Sequence, residues 1–268
     1  MIHPMLFREY PPSPLLADDV KCMWILRTTY PADGFEDVTP DGCVELICNL
    51  GCPYRLPSDG RALPPVFVVG FQERTVRFPV SGEVRLIAAR LHPWAATWLL
   101  EGEIDATGNV IAGLGGEWND LLAALEPIVA HGDESAFARA ADCLQEFLIG
   151  RAMARGFHPS VFRAAARLLA DAEGQLRVEA LADECSISVR QLQRAFRRSL
   201  GATPKSYART VRFAAAQRVL QLNPSTSLAR LAYQCGYADQ AHFVRDFKAV
   251  VGHPPGLYLA QLRATRPA

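Results

Sequence analysis

Nowhere in the 268 residues does an uninterrupted apolar run approach the ~18 residues of a membrane-spanning helix, so no membrane partner is expected. The opening MIHPMLFREYPPSP meets prolines and an acid before any apolar stretch can build, which predicts no secretory signal peptide. Histidine is sparse, at six, and only His92 falls in a strand-like run, with His3 and His131 far from it in sequence. A metalloenzyme of the two-histidine, one-carboxylate kind needs clustered ligands, so the expectation is no catalytic metal, no cofactor and no enzymatic activity. The seven cysteines lack close-paired spacing and fit a reducing, cytoplasmic setting better than a disulfide framework. Cys43, Cys48 and Cys52 invite a zinc or thiol-sensor reading. A five-residue step along a strand turns Cys43 and Cys48 to opposite faces, however, and buried free cysteines are the simpler reading.

Net charge is also absent, at +0, but only because two opposite charges cancel. Residues 1–150 hold 10 Lys and Arg against 21 Asp and Glu, a balance of −11, and residues 151–268 hold 18 against 7, a balance of +11. Such asymmetry points to a basic module with a polyanionic partner, carried by an acidic module with another task.

Up to about residue 92 the chain runs in short β-like segments split by Pro and Gly: Cys22–Tyr30, Cys43–Leu50, Val66–Gln72, Thr75–Val80 and Glu83–His92. From Pro93 the apolar spacing turns helical, in WAATWLL, Glu117–Ala130 and Glu134–Ile149. A link at Gly150–Ser160 follows, and beyond it seven helices are predicted: Val161–Asp171, Val178–Glu184, Val189–Leu200, Pro204–Leu222, Leu228–Gln234, Gln240–Val251 and Pro255–Arg263. The expected architecture is a β-rich sensor-like domain, a helical connector and an all-α C-terminal domain.

The basic half contains itself twice. Leu181-Ala182-x-x-Cys185 recurs as Leu231-Ala232-x-x-Cys235, an offset of 50. Leu192-x-Arg194-x-Phe196 recurs as Phe243-x-Arg245-x-Phe247, and Gly201-x-x-Pro204-x-x-Tyr207 as Gly252-x-x-Pro255-x-x-Tyr258, both at an offset of 51. The one-residue slip falls between the two helices of each unit, where a turn can absorb it. Two units of helix, short turn and helix make a duplicated helix-turn-helix. In each, the second helix opens on a capping residue, Ser188 (with Gln191 completing a capping box) or Asp239. Leu192, Phe196 and Leu200 share one face, as do Phe243 and Phe247. The opposite face presents Arg190, Gln193, Arg194 and Arg197 in the first unit. In the second it presents Gln240, Ala241, Val244, Arg245 and Lys248. Arg and Gln donate in the geometry that guanine and adenine edges accept, and a major groove admits one helix. Between the units, a 19-residue helix at Pro204–Leu222 gives a rod of about 28 Å, close to the ~34 Å between successive major-groove faces on one side of a duplex.

About residues 160–263 resemble the AraC/XylS family of bacterial transcription regulators, most specifically through SLARLAYQCGYADQAHFVRDFKAVVGHPPGLYL, with SVRQLQRAFRRSLGATPKSYARTVR similar to the more variable recognition segment. The resemblance implies a seven-helix domain at 156–268 with helix-turn-helix modules at about 177–201 and 227–252, joined by a linker helix at 204–222. It also implies binding to asymmetric sites near promoters. Arg190, Gln193 and Arg194 would then read bases from the first module and Gln240, Val244 and Arg245 from the second, with fewer basic groups on the second face.

PDGCVELI at 40–47, VVGFQ at 68–72 and the later ARLHPW resemble the sensor regions that precede such domains. That likeness implies a small cupin-like β-barrel followed by helices at about 94–149, within a domain at 1–155 that binds an effector or dimerises. The fold class expected is therefore multi-domain, N-terminal α+β and C-terminal all-α. Trp24, Arg27, Phe67, Arg90 and Trp94 are candidate effector contacts, apolar walls with a few polar groups, while plain core remains the competing reading of the aromatics. The function expected is a sequence-specific DNA-binding transcription regulator, an activator in the first instance. Double-stranded DNA is its main partner, and a small effector, RNA polymerase and a second copy of the chain are further candidates. The competing class is a small-molecule-binding or catalytic cupin-like protein whose helical half mediates protein interaction.

Overall fold

The computed structural model describes residues 6–100, 111–130, 134–156 and 159–265. The chain divides into two compact units. The first draws its described residues from Met1–Val38, Cys43–Phe71 and Arg77–Pro159, the second from Thr39–Gly42, Gln72–Val76 and Ser160–Ala268.

Strands β1 (Leu6–Tyr10), β2 (Val20–Tyr30), β4 (Val44–Asn49), β5 (Val66–Val69), β7 (Gly82–Leu91) and β8 (Ile111–Gly113) form a six-stranded sheet in the order β1-β2-β7-β4-β5-β8. Strands β3 (Phe35–Val38) and β6 (Val76–Pro79) pair in a second, two-stranded sheet. The long apolar strands β2 and β7 occupy the middle and pair antiparallel, with Trp24 opposite Ala88 and Cys22 opposite Arg90. Ile47 also lies opposite Ala88, and Phe67 opposite Ile47. Since successive side chains alternate between faces, Trp24, Ile47, Phe67 and Ala88 share one face, and all four are buried. Tyr54 packs on this layer, its ring centroid 6.4 Å from those of Phe67 and Phe78.

Three helices complete the first unit: α1 (Pro93–Leu99), α2 (Glu117–Val129) and α3 (Glu134–Arg155). Helix α3 runs on through Gly150, where the sequence suggests a link. Arg151 holds that extra turn in place. Its guanidinium donates to the Leu99 carbonyl at 2.8 and 3.1 Å, pairs with Glu117, and lies 4.5 Å from the Trp118 ring centroid. A guanidinium so buried is tolerated only with its donors satisfied.

The second unit is all helical: α4 (Val161–Asp171), α5 (Val178–Glu184), α6 (Val189–Leu200), α7 (Pro204–Leu222), α8 (Leu228–Gln234), α9 (Gln240–Val251) and α10 (Pro255–Thr265). Phe162, Phe196 and Tyr207 form one aromatic core, with centroid separations of 5.0 and 5.9 Å. Phe213, Phe243, Phe247 and Tyr258 form the other, with separations of 5.2, 5.7 and 5.4 Å. The protein thus joins a β-rich N-terminal domain with helices to a C-terminal domain built from helix-turn-helix modules.

Candidate nucleic-acid interface

The two modules close their turns in the same way. After α5 the amide of Ser186 donates to Asp183 and that of Ile187 to Ala182; after α8, Gly236 donates to Tyr233 and Tyr237 to Ala232. Both pairs satisfy the last carbonyls of a short helix, and both turns need one residue at positive φ, Ser186 at 54° and Gly236 at 72°. The second turn then holds one additional residue before its N-cap, which accounts for the slip from 50 to 51 in the repeat.

Helix α6 starts on a complete capping box. Ser188 Oγ accepts from the Gln191 amide at 3.3 Å, and Gln191 Oε1 accepts from the Ser188 amide at 2.9 Å. Its C-terminus ends in left-handed Gly201, and Leu192, Phe196 and Leu200 are buried beneath it. Arg190, Gln193, Arg194 and Arg197 are all exposed on the other side. Arg190, Arg194, Arg197 and the neighbouring Arg198 have no carboxylate or carbonyl partner among the described residues. Like charges three or four positions apart on a helix repel by a few tenths of a kcal/mol each, so this face is better matched by an external polyanion than by water alone.

Helix α9 begins at Asp239, whose Oδ1 accepts from the His242 amide at 2.7 Å, and ends in left-handed Gly252. Gln240, Ala241, Arg245 and Lys248 are exposed. Val244 differs from the expected base reader in that it is half-buried and packs against the Phe243–Phe247 core. The apolar side chain gains more from that contact than from water.

Two arginines of α7 have partners within the fold. Arg218 Nη2 lies 2.6 Å from Glu173 Oε1, and Arg212 Nη1 donates to the Gly236 carbonyl at 3.4 Å. Arg212 and Arg218 thus serve the fold, whereas the arginines of α6 and Arg245 and Lys248 of α9 have no acidic partner among the described residues, a distinction that sequence composition cannot make.

In the first unit, Trp24, Phe67 and Arg90 share a sheet face, as their strand positions require. Glu45, which the sequence reading missed, joins them there. Its carboxylate accepts from Trp24 Nε1 at 2.7 Å and from Arg90 Nε at 2.6 Å, while Arg90 Nη1 reaches Glu9 at 3.2 Å. The signal was present as a lone acid in the apolar run VELIC. Beside them burial pushes the Cys22 thiol up to about 11, with Arg90 opposing the shift. Arg27 is not part of this group. Three positions from Trp24, it points to the opposite face and pairs with Glu83 at 2.9 Å. Trp94 is also elsewhere: on α1, it donates to the Asp18 carbonyl at 2.8 Å and stacks on His92 at 4.5 Å. At the two-stranded sheet, Tyr30 and Tyr54 both donate to Glu36, the former at 3.1 Å. Among the described residues, no group of three or more His, Cys, Asp and Glu is arranged to hold a metal ion. None of their helices is long and apolar enough to cross a membrane.

Residues 181–261 match a family described as a helix-turn-helix domain, and residues 8–110 one described as a domain of unknown function, DUF6597. The HTH-type transcriptional activator RhaS of Escherichia fergusonii is 34% identical over 77 residues, 29% of this chain and 27% of that protein. RhaS of Escherichia coli O1:K1 / APEC is 34% identical over 70 residues, 26% of this chain and 25% of that protein. The chain thus spans about a quarter of the length of these curated relatives. ToxT from Vibrio cholerae O395 aligns with a TM-score of 0.52 at 10% identity, covering 96% of this chain and 98% of that one. At that identity the likeness concerns the fold.

Proposed function

We propose that the chain, which carries an AraC-type helix-turn-helix domain at its C-terminal end, is a sequence-specific DNA-binding transcription regulator. The observation that carries this reading is the exposed, unpaired arginine face of α6, set on a capped helix in a repeated module. Arg190, Gln193, Arg194 and Arg197 read or clamp one major groove. Gln240, Arg245 and Lys248 serve the next, and Val244 contributes its outer methyl edge. The name of the relatives, transcriptional activators, favours activation over repression. The division of roles runs near residue 155, with the β-rich part binding a small effector, pairing two copies of the chain, or both. It performs no catalysis, and the protein works in the cytoplasm beside RNA polymerase.

The test is a titration of the full chain against duplex DNA across a series of salt concentrations. Each phosphate neutralised contributes about −0.9 to the slope of log affinity against log salt. The expected slope is steep, and it flattens when Arg190, Arg194, Arg197 and Arg198 are replaced together by Ala. No affinity at low salt, or affinity indifferent to salt, would overturn the reading. The regulatory role of the front domain is tested by sedimentation and DNA titration with and without candidate metabolites. An effector that tightens DNA binding must itself bind more tightly when DNA is present.

A further inference from the structure

The turn between α4 and α5 makes three different contacts with three consecutive residues. Glu173 at φ 49° pairs with Arg218 near the end of α7, at 2.6 Å. Gly174 at φ 73° lies flat on the α7 backbone, where a Cβ would fall onto the Ala208 carbonyl oxygen and within 3.0 Å of the Arg212 nitrogen. Gln175 crosses to the other module: its Nε2 donates to the Gln234 carbonyl at 3.2 Å, and its Oε1 sits 2.9 Å from where a Cβ on Gly236 would be. The first module is thus held to the linker helix at two points and to the turn of the second module at a third.

We infer that Glu173, Gly174 and Gln175 are positioning residues that fix the distance and angle between α6 and α9, and so set the spacing of the two half-sites that the chain reads. The inference rests on the DNA-binding reading above. None of the three lies on a recognition helix or needs to touch DNA. Each module packs on α7, Tyr207 in one core and Phe213 in the other, and the three contacts, spread over two helices and a turn, brace the modules against rotation about that helix. Each inserted base pair moves the second groove by about 3.4 Å and turns it by about 34°, a displacement that a rigid pair of readers cannot follow. The Glu173–Arg218 pair is exposed and contributes little on its own, so the device depends on the contacts acting together.

The experiment selects a duplex for the full chain from a randomised library, then inserts one or two base pairs between the half-sites. The wild-type chain is expected to lose about tenfold or more in affinity on one insertion, of the order of a base-pair mismatch. The double variant Gln175→Ala, Arg218→Ala should lose less than about threefold, with affinity for random duplex unchanged. Combining Gln175→Ala with the reversed pair Glu173→Arg, Arg218→Glu should restore part of the penalty, which a change in folding alone would not do. Gly174→Ala is left aside because it strikes backbone. An unchanged insertion penalty in the double variant overturns the inference while leaving DNA binding intact, as does selection of a single half-site. A wild-type chain that enriches no sequence overturns the DNA-binding reading itself, and this inference with it.

Discussion

The guanidinium carbon of Arg212 lies 5.2 Å from the centroid of the Tyr237 ring, joining the linker helix to the turn before α9. Burial pushes the Tyr237 hydroxyl above the ordinary tyrosine range, so the ring stays neutral, and its face is the electron-rich surface that a cation prefers. Arg212→Ala should cost about 0.5–1 kcal/mol of stability, a fall in Tm of a few degrees. Specific and random DNA should lose affinity to the same extent, which thermal melts and paired titrations would check.

Arg194→Ala should behave in the opposite way. Its side chain is exposed and has no partner among the described residues, so melting should be unchanged. Discrimination between the selected duplex and random DNA should fall by about 1–3 kcal/mol if the side chain reads a base edge. Equal losses on both duplexes would place Arg194 among the phosphate contacts instead.

Two positions along the same helix, the cost becomes structural. Phe196 is fully buried between Phe162 and Tyr207. Phe196→Ala should destabilise the fold by about 3–5 kcal/mol through lost burial and the cavity left behind. Denaturant melts of Phe196→Ala and Arg197→Ala, side by side, would show a large shift for the first and almost none for the second.

The thiols should separate by reactivity. Cys52 is exposed, whereas Cys48 is buried and its pKa is pushed up to about 12 by desolvation. Only the thiolate attacks an alkylating reagent, so at pH 8 native Cys52 should be labelled first and Cys48 only on unfolding. The sign for stability follows from the same shift. The folded-state pKa lies above the unfolded value of 9.0, so the contribution of Cys48 is intact below pH 9 and is lost progressively as pH rises towards 12. Mass spectrometry after timed alkylation, and melts from pH 8 to 11 compared with Cys48→Ala, are the measurements.

The helical half was largely legible in the sequence because each signal there is local. Caps such as Ser188 and Asp239 and apolar residues at steps of three and four each act within a single helix, and the repeat shows itself at a fixed offset of 50 or 51. The short strands β1, β3 and β8 were not foreseen, since none carries a strong strand signal of its own, and β3 and β8 exist only through partners far along the chain, as Gly113 opposite Phe67 illustrates. Arg27 could have been separated from Trp24 by counting, because an odd step on a strand changes face. Arg90 could not have been matched with Glu45 that way, for their meeting depends on the pairing of β4 with β7. Likewise nothing local in Glu173-Gly174-Gln175 announces that its contacts lie on α7 and beyond α8.

Helix α7 sends Tyr207 into the aromatic core of the first module and Phe213 into that of the second, six residues and about 9 Å further along. Neither core is complete without this one helix, so loosening either strips packing from the other. Melting of this unit should therefore be a single all-or-none event rather than two steps, and damage to one groove reader should silence both. Duplication supplied two readers, but the shared rod between them made their survival indivisible.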